Sequence, residues 1–224
     1  MVREFLKSEK NVFWEALIIT IFIFLLGLLI GVFLENSRTK NLDSIYLESE
    51  FNLFDLNIQS RLFDLENLDC NYAVSENIKF GDKIFENALL LQKLEESEDL
   101  TDAIKVQHKK FDILRALFWI NSKNIKERCG ANYSIVVYLY DYNDVRLDTK
   151  AEQKVFSRVL SELKNKKEGK VMLIPIAGDN GLLSVNSLME IHNVSEQELP
   201  IILIDEKYKI NTLDDLENIE KYLS

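Results

Sequence analysis

The fold of this chain is decided by residues 133–140, where the sequence reads YSIVVYLY. The β-branched and aromatic residues of this run favour a β-strand. A strand with one face in solvent alternates apolar and polar side chains, but this run is almost entirely apolar. We therefore expect a central strand that is buried on both faces of its sheet.

Strands and helices alternate after this run. The predicted elements are a helix over 150–166, a strand over 171–176, a short helix over 182–192, strands over 201–204 and 208–210, and a final helix from Thr212 to Leu223. Thr149 and Glu152 have the spacing of a capping box at the start of the first of these helices. The sequence therefore predicts an α/β domain with the element order β-α-β-α-β-β-α.

This order, with a proline directly before the third strand, resembles the thioredoxin fold. The resemblance covers residues 133–223 and includes the local match Leu188…Ile191-His192-Asn193-Val194…Leu199-Pro200-Ile201-Ile202-Leu203-Ile204. It implies a cis peptide bond between Leu199 and Pro200, and a second strand at the sheet edge, where Pro175 costs no central ladder hydrogen bond. It also implies a groove for extended peptides, formed here by Leu199, Pro200, Asp141, Tyr142, Asn143 and Asp144.

The thiols that carry the chemistry of this family are missing from their expected place. Thioredoxin-like oxidoreductases hold a Cys-x-x-Cys pair between the first strand and the first helix, where the helix N-terminus lowers the pKa of a thiol. Residues 141–150 read DYNDVRLDTK and contain no cysteine. A thiol nucleophile at this position is therefore excluded, and with it the related peroxidase and glutathione-conjugation activities. The aspartates of this loop lack the glycine and the closing glutamate of a Ca²⁺-binding EF-hand.

Helical periodicity dominates the residues before the strand run. Residues 36–68 predict a helix that buries one apolar stripe, made of Leu47, Phe51, Phe54, Ile58, Leu62 and Leu65. A second helix is expected from Ser75 or Asp82 to Glu98, and a third from Thr101 to Arg128. Because their connections are short, these helices should be antiparallel neighbours that form a three-helix bundle.

The most apolar segment lies near the N-terminus, where residues 16–34 read ALIITIFIFLLGLLIGVFL. A helix of this length spans roughly 28 Å, close to the ~30 Å hydrocarbon core of a bilayer. The run exceeds the ~7–15 residues of a signal-peptide core, and no A-x-A-like site follows it, so we expect an uncleaved signal anchor over 12–35. The basic residues Arg3, Lys7 and Lys10 before the span, against Arg38 and Lys40 after it, favour a cytoplasmic N-terminus and an exported C-terminal domain in the cell membrane.

The composition of the chain limits the classes of partner that we expect it to bind. The net charge is −10 and no basic patch is present, so we expect no nucleic acid, and instead the lipid bilayer and a protein or peptide partner. Gly27 and Gly31 form a GxxxG pattern inside the span, a candidate face for a homodimer. The expected domains are an N-terminal flank at 1–11, the anchor at 12–35, the helical bundle at 36–130 and the thioredoxin-like domain at 131–224.

The chain has two cysteines, Cys70 and Cys129. Cys70 precedes the second predicted helix and Cys129 ends the third, so both fall at the same end of an antiparallel helix pair. A structural disulfide there would add about 3–4 kcal/mol in the chain-entropy model. Two reduced thiols in a cytosolic domain, or a redox-active pair, are the alternatives.

The remaining candidate sites are weaker patterns. His108 and His192 are far apart and neither has a second ligand at metal spacing, so we expect solvated or partly packed histidines and no metal site. Asn132 and Asn193 each begin an N-glycosylation sequon. No pattern in the sequence calls for a cofactor.

Three function classes fit this sequence. The leading hypothesis is a single-pass membrane protein that displays a catalytically inactive thioredoxin-like domain outside the membrane as a binding or scaffold module. The second is a thiol–disulfide oxidoreductase, or its accessory subunit, that uses Cys70 and Cys129 or the thiols of a partner protein. The third is a structural subunit of a membrane complex with a cytosolic domain.

Overall fold

The computed structural model describes residues 9–63, 69–97, 102–144, 146–212 and 218–223. The helices are α1 (Glu9–Phe63), α2 (Cys70–Ser97), α3 (Asp102–Cys129), α4 (Leu147–Lys166) and α5 (Leu183–Ile191), with 3-10 turns at Glu196–Glu198 and Ile219–Tyr222. The strands are β1 (Ser134–Tyr140), β2 (Val171–Ala177), β3 (Ile201–Ile204) and β4 (Tyr208–Ile210). The chain divides into two compact units, Met1–Leu47 and Glu48–Ser224. The expected α/β class is confirmed.

The first unit carries the apolar part of α1. Residues Val12–Leu34, 23 in number, form a helix long and apolar enough to cross a membrane. Apart from the half-buried Leu17, the large apolar side chains of this segment are exposed, from Leu26 at 42% to Phe33 at 73%. An apolar surface of this extent is unfavourable in water and suits a lipid environment.

The second unit is built on a four-stranded mixed sheet with the order β2-β1-β3-β4. Strands β1 and β2 are parallel, with Tyr138 opposite Pro175, and β3 is antiparallel to both β1 and β4. The run at 133–140 is thus the central strand that the sequence predicts, and its residues are buried from Tyr133 to Leu139. The peptide bond between Leu199 and Pro200 is cis, as expected. Pro175 lies on the edge strand β2, where a missing N–H is tolerated.

Helices pack on both faces of this sheet. Alternate strand residues point to opposite faces, and one face forms a cluster with α4 and the C-terminal 3-10 turn. This cluster contains Val136, Tyr138, Val171, Leu173, Ile202, Ile204, Ile210, Phe156, Leu160, Leu163 and Ile219, together with Phe85 of α2. On the other face α2 comes close to α3 and β2 at Gly81. An added Cβ there would lie 2.9 Å from Phe118 Cζ and 3.0 Å from Met172 Sδ, so this close approach needs glycine.

A disulfide joins the first residue of α2 to the last residue of α3. Cys70 and Cys129 have Cα atoms 5.3 Å apart and are 59 residues apart in sequence. This is the structural pairing that the sequence predicts. Helix α2 starts earlier than the predicted Ser75 or Asp82, because the Asp69 carboxylate accepts hydrogen bonds from Asn71 N and Tyr72 N and caps the first turn.

The prediction for the buried face of the first helix is wrong. Leu47, Phe51, Phe54, Ile58 and Leu62 are between 51% and 71% exposed, and Leu65 lies outside the described residues. Asn52 is buried, and so is Leu56, which we expect beside the stripe as part of a widened face. Polar contacts select this face: Lys83 of α2 donates to Asn52 Oδ1, and Asn121 of α3 donates to Leu56 O.

The predicted capping box of α4 is also wrong. The helix starts at Leu147 with Arg146 as its N-cap, and this residue makes no side-chain capping bond. Thr149 lies inside the first turn, where it is buried. Of the predicted final helix from Thr212 to Leu223, residues 213–217 lie outside the described part of the chain, and Ile219–Tyr222 form a 3-10 turn.

Candidate functional site

The loops that follow β1 and β2 meet at one end of the sheet, because the carboxyl ends of parallel strands lie side by side. Asp179, in the turn after β2, accepts hydrogen bonds from Tyr142 N at 2.8 Å and Asn143 N at 2.7 Å. The Asn143 amide also donates to Asp179 Oδ2 at 2.8 Å. The carboxylate of Asp179 therefore fixes the loop after β1.

The cis-proline segment reaches the same turn. An added Cβ on Gly178 would lie 2.9 Å from Leu199 Cδ1, so the Leu199 side chain packs directly against this glycine. Leu199 is half-buried and Pro200 is buried. The structure thus brings the two predicted halves of the peptide groove, Leu199–Pro200 and residues 141–144, into contact with one shared turn.

A buried polar cluster on α3 adjoins these loops, and sequence reasoning missed it. Asp112 is fully buried, and its carboxylate accepts hydrogen bonds from Arg115 at 3.1 Å and from the Asn180 amide at 2.6 Å. His108 Nε2 lies 3.5 Å from Asp112 Oδ2 and 2.8 Å from the hydroxyl oxygen of Tyr140. The His108 ring stacks on Tyr142 with centroids 3.9 Å apart.

Burial governs the electrostatics of this cluster. Loss of solvent raises the pKa of Asp112, while the charges of His108 and Arg115 and the Asn180 hydrogen bond oppose that rise. The Arg115 guanidinium carbon lies 4.7 Å from the centre of the Phe111 ring. Arg115 is 3% exposed, and its Nε has no hydrogen-bond partner among the described residues.

Arg115 and His108 line a cavity of about 330 Å³. The cavity lies among α2, α3 and α4, beside the edge strand β2. Its apolar lining includes Phe85, Leu89, Leu160, Leu173 and Pro175. Its polar lining includes Asp141, Lys150, Gln153 and Lys154. Its volume falls near the lower end of the ~300–1,000 Å³ range of small-molecule pockets.

Two carboxyls of the loop after β1 have opposite pKa shifts. Burial, together with the hydrogen bond and the negative charge of Asp179, raises the pKa of Asp141 to about 6. The Arg146 side chain, which donates to Asp144 Oδ2 at 2.8 Å, lowers the pKa of Asp144. Asp141 lies at the cavity and so places a carboxyl that changes charge near neutral pH beside it.

The other predicted residues lie apart from this cavity. Cys70 and Cys129 are consumed in the disulfide, and neither lines the cavity. Gly27 and Gly31 lie on α1, where an added Cβ would meet no atom within 4 Å. Asn132 and Asn193 are exposed, as glycosylation requires. Their glycosylation stays a prediction.

The prediction for the histidines is half right. His192 is half-buried and stacks on Trp119 with ring centroids 5.0 Å apart. His108 is 3% exposed, so it is fully packed rather than solvated. Within the described ranges, no three His, Cys, Asp or Glu side chains are grouped to hold a metal ion.

Comparison of the chain with protein-family models, with curated proteins and with solved structures finds no match. The function must therefore be inferred from the geometry itself. The one sequence signal for the buried cluster was the spacing of His108, Asp112 and Arg115. Steps of four and then three residues place these side chains on one face of α3. Asn180, which completes the cluster, is 68 residues from Asp112, and no local pattern indicates that pairing.

Proposed function

We propose that this chain is a single-pass membrane protein that displays a catalytically inactive, thioredoxin-like binding module outside the membrane. Support for the resemblance comes from the sheet order β2-β1-β3-β4, with β1 and β2 parallel and β3 antiparallel to β1. The cis Leu199–Pro200 bond before β3 supports it as well. Anchoring is supported by the apolar segment Val12–Leu34.

One observation carries the proposal, the disulfide between Cys70 and Cys129. It uses both cysteines of the chain, and residues 141–150, where the thioredoxin family keeps its reactive pair, contain none. The module can therefore offer shape and polar groups at this end of the sheet but no thiol for exchange. A structural disulfide also fits an oxidising compartment outside the cytoplasm.

The proposed contact surface for a protein or peptide partner comprises Leu199, Pro200, Asp141, Tyr142, Asn143 and Asp144. These residues surround the turn at 178–181, whose Asp179 holds the backbone of Tyr142 and Asn143 in place. A loop fixed in this way loses little conformational entropy when a partner binds. The alternative is a thiol–disulfide oxidoreductase that uses the Cys70–Cys129 pair.

Two measurements on the membrane-expressed chain test the proposal. Protease added to intact cells should digest the module, because the flanking charges favour its export. Digestion only after lysis would contradict the orientation and favour a structural subunit with a cytosolic domain. Purified chain should not reduce insulin disulfides with dithiothreitol as reductant above the uncatalysed rate. Turnover that Cys70→Ser abolishes would establish the oxidoreductase alternative.

A second candidate role, self-association, is favoured by the exposed stripe on α1. Phe51, Phe54, Ile58 and Leu62 follow one another at steps of three and four and are at least 51% exposed. Such spacing is typical of a two-stranded helical interface. Two copies anchored in one membrane run in the same direction, so each presents an identical stripe to the other. A homodimer would cover these side chains.

A further inference from the structure

The cavity among α2, α3 and α4 concentrates positive charge within an acidic chain. The net charge of the chain is −10, yet among the described residues the cavity lining includes Lys150, Lys154 and Arg115, which is paired with Asp112, against the single acidic residue Asp141. Neither lysine forms an ion pair with any described residue. Both are exposed and lie four residues apart on α4, so they supply charge at the solvent side of the cavity.

Two buried donors at this cavity lack an acceptor. Arg115 Nε and Gln153 Nε2 are buried and have no hydrogen-bond partner among the described residues, and both residues line the cavity. Arg115 gives one terminal nitrogen to Asp112, which leaves Nε to a further acceptor. Buried donors in folded proteins are nearly always paired, so two at one cavity indicate a missing acceptor.

The other residues that line the cavity indicate which kind of ligand would carry the missing acceptor. Phe85, Leu89, Leu160, Leu173 and Pro175 form apolar walls, which favour a hydrocarbon or aromatic body. Arginine binds planar carboxylates well, because its donors match their geometry. A multiply charged anion such as phosphate would need more buried donors than Arg115 Nε and Gln153 Nε2 provide, because Lys150 and Lys154 lie at the solvent side of the cavity.

We propose that this cavity binds a small carboxylic acid with an apolar body, with its carboxylate on Arg115 Nε and Gln153 Nε2. Lys150 and Lys154 attract the anion, and the apolar walls hold its body. This site adjoins the predicted groove, since Asp141 and Tyr142 line the cavity, whereas Leu199 and Pro200 do not. The inference deepens the proposed binding function and rests on it, but not on the thioredoxin resemblance or on the side of the membrane.

Calorimetric titration of the full chain in lipid nanodiscs tests the site, with empty nanodiscs as the blank. Phenylpropanoate is the probe, and we expect a Kd at or below about 1 mM. Phenylpropanamide has the same shape without the charge, and inorganic phosphate has charge without the apolar body. Both should bind at least about tenfold more weakly. Equal binding of the amide or of phosphate, or no binding of phenylpropanoate, would overturn the proposal.

Lys150 and Lys154 are exposed and Gln153 is half-buried, so their variants are expected to fold. Lys150→Gln with Lys154→Gln should raise the Kd of phenylpropanoate about three- to tenfold. Gln153→Leu, which removes one donor, should raise it about fivefold. Lys170→Gln, at an exposed lysine outside the cavity, is the matched control and should leave the Kd unchanged. Unchanged affinity in both test variants would contradict the assignment.

A direct readout is the NMR signal of the arginine side-chain Nε–H groups. We expect phenylpropanoate to shift the Arg115 signal, assigned with Arg115→Lys, and phenylpropanamide to leave it in place. A chain that is exported and inactive in thiol turnover but shows no shift would contradict this site alone. The proposed function would stand in that case, so the two failures are distinguishable.

Discussion

At the scale of single residues, Asp112 organises the polar interior of the second unit. Its carboxylate is fully buried and accepts hydrogen bonds from Arg115 on its own helix and from Asn180 in the turn after β2. It therefore connects α3 to the end of the sheet where the candidate site lies. Removing one partner of such a buried pair leaves an uncompensated charge, which costs more than the pair itself contributes.

Asp112→Ala should lower the free energy of unfolding by about 3–5 kcal/mol, because the buried Arg115 guanidinium loses its counter-ion. Urea titration of the detergent-solubilised chain measures the change. Glu162→Ala, the same kind of truncation at an exposed helical position, is the control and should stay within about 0.5 kcal/mol. A decrease in the free energy of unfolding of less than about 1 kcal/mol for Asp112→Ala would show that Asp112 does not compensate the buried charge of Arg115.

Asp141 should make stability depend on pH. Because burial and Asp179 raise its folded pKa from 3.8 to about 6, the folded chain binds this proton more tightly than the unfolded chain between those values. Its contribution to stability therefore falls as the pH rises through that window. Asp179, whose pKa is lowered, acts in the opposite direction, since its contribution is lost as the pH falls through its lowered pKa.

Asp141→Asn keeps the acceptor for Asp144 N and removes the titrating group. We expect the variant to be more stable than the parent chain by up to about 1 kcal/mol at about pH 7, and equal to it at about pH 4. Melting temperatures across this range measure the difference. Glu162→Gln, at an exposed position, is the control, and its melting temperature should depend on pH in the same way as that of the parent chain. A constant offset at all pH values would show that Asp141 does not titrate in this window.

At the scale of elements, α1 combines two surfaces with different requirements. Its apolar segment at Val12–Leu34 suits lipid, whereas its C-terminal part belongs to the second unit, where Asn52 contacts α2 and Leu56 contacts α3. Phe51, Phe54, Ile58 and Leu62 remain exposed. Soluble monomers rarely leave a contiguous apolar stripe in water, so this face is the natural place for a second copy to bind.

Ile58→Cys should therefore form a disulfide-linked dimer when oxidant is added to membranes that contain the variant. Asn57→Cys is the matched control: it is also exposed, but lies about 100° around the helix and should not cross-link. Non-reducing gel electrophoresis separates the two outcomes. Equal cross-linking of both variants, or none of either, would contradict self-association through this stripe.

At the scale of the whole molecule, the disulfide closes the α2–α3 pair covalently. Helices α2 and α3 pack against each other and against the sheet, and the Phe118 side chain of α3 lies against Gly81 of α2. Closing a segment of 59 residues restricts the unfolded chain. The expected stabilisation is about 3–4 kcal/mol in the chain-entropy model.

Joint replacement Cys70→Ser and Cys129→Ser should lower the free energy of unfolding by about 3–4 kcal/mol, and the melting temperature with it, while the sheet and helices remain folded. Circular dichroism during heating measures both properties. In the parent chain, maleimide should label neither cysteine until reductant is added. Reductant should destabilise the parent chain but leave the double variant unchanged. Labelling of both thiols in the untreated native protein would show that no bridge exists.

The sequence by itself determined the features that rest on local patterns. The apolar run at 133–140 indicates a buried central strand. The charge-free run at 16–34 indicates a segment that can span a membrane. The predicted helix ends near Cys70 and Cys129 indicate a disulfide between these two residues. Each depends on the composition or spacing of neighbouring residues, which control secondary structure and burial directly. For the same reason the sequence predicts strands at 201–204 and 208–210, and the structure has both with these bounds.

Only the tertiary structure decided which helix faces are covered and where polar groups meet. The apolar stripe on α1 predicts a buried face, yet hydrogen bonds from Lys83 and Asn121 select the face with Asn52 and Leu56. The site likewise unites Asp112 with Asn180, and Arg115 with Gln153, across elements that are distant in sequence. Periodicity in the sequence shows that a helix has an apolar face. Long-range packing decides what covers that face, and a short stretch of sequence carries no information about such contacts.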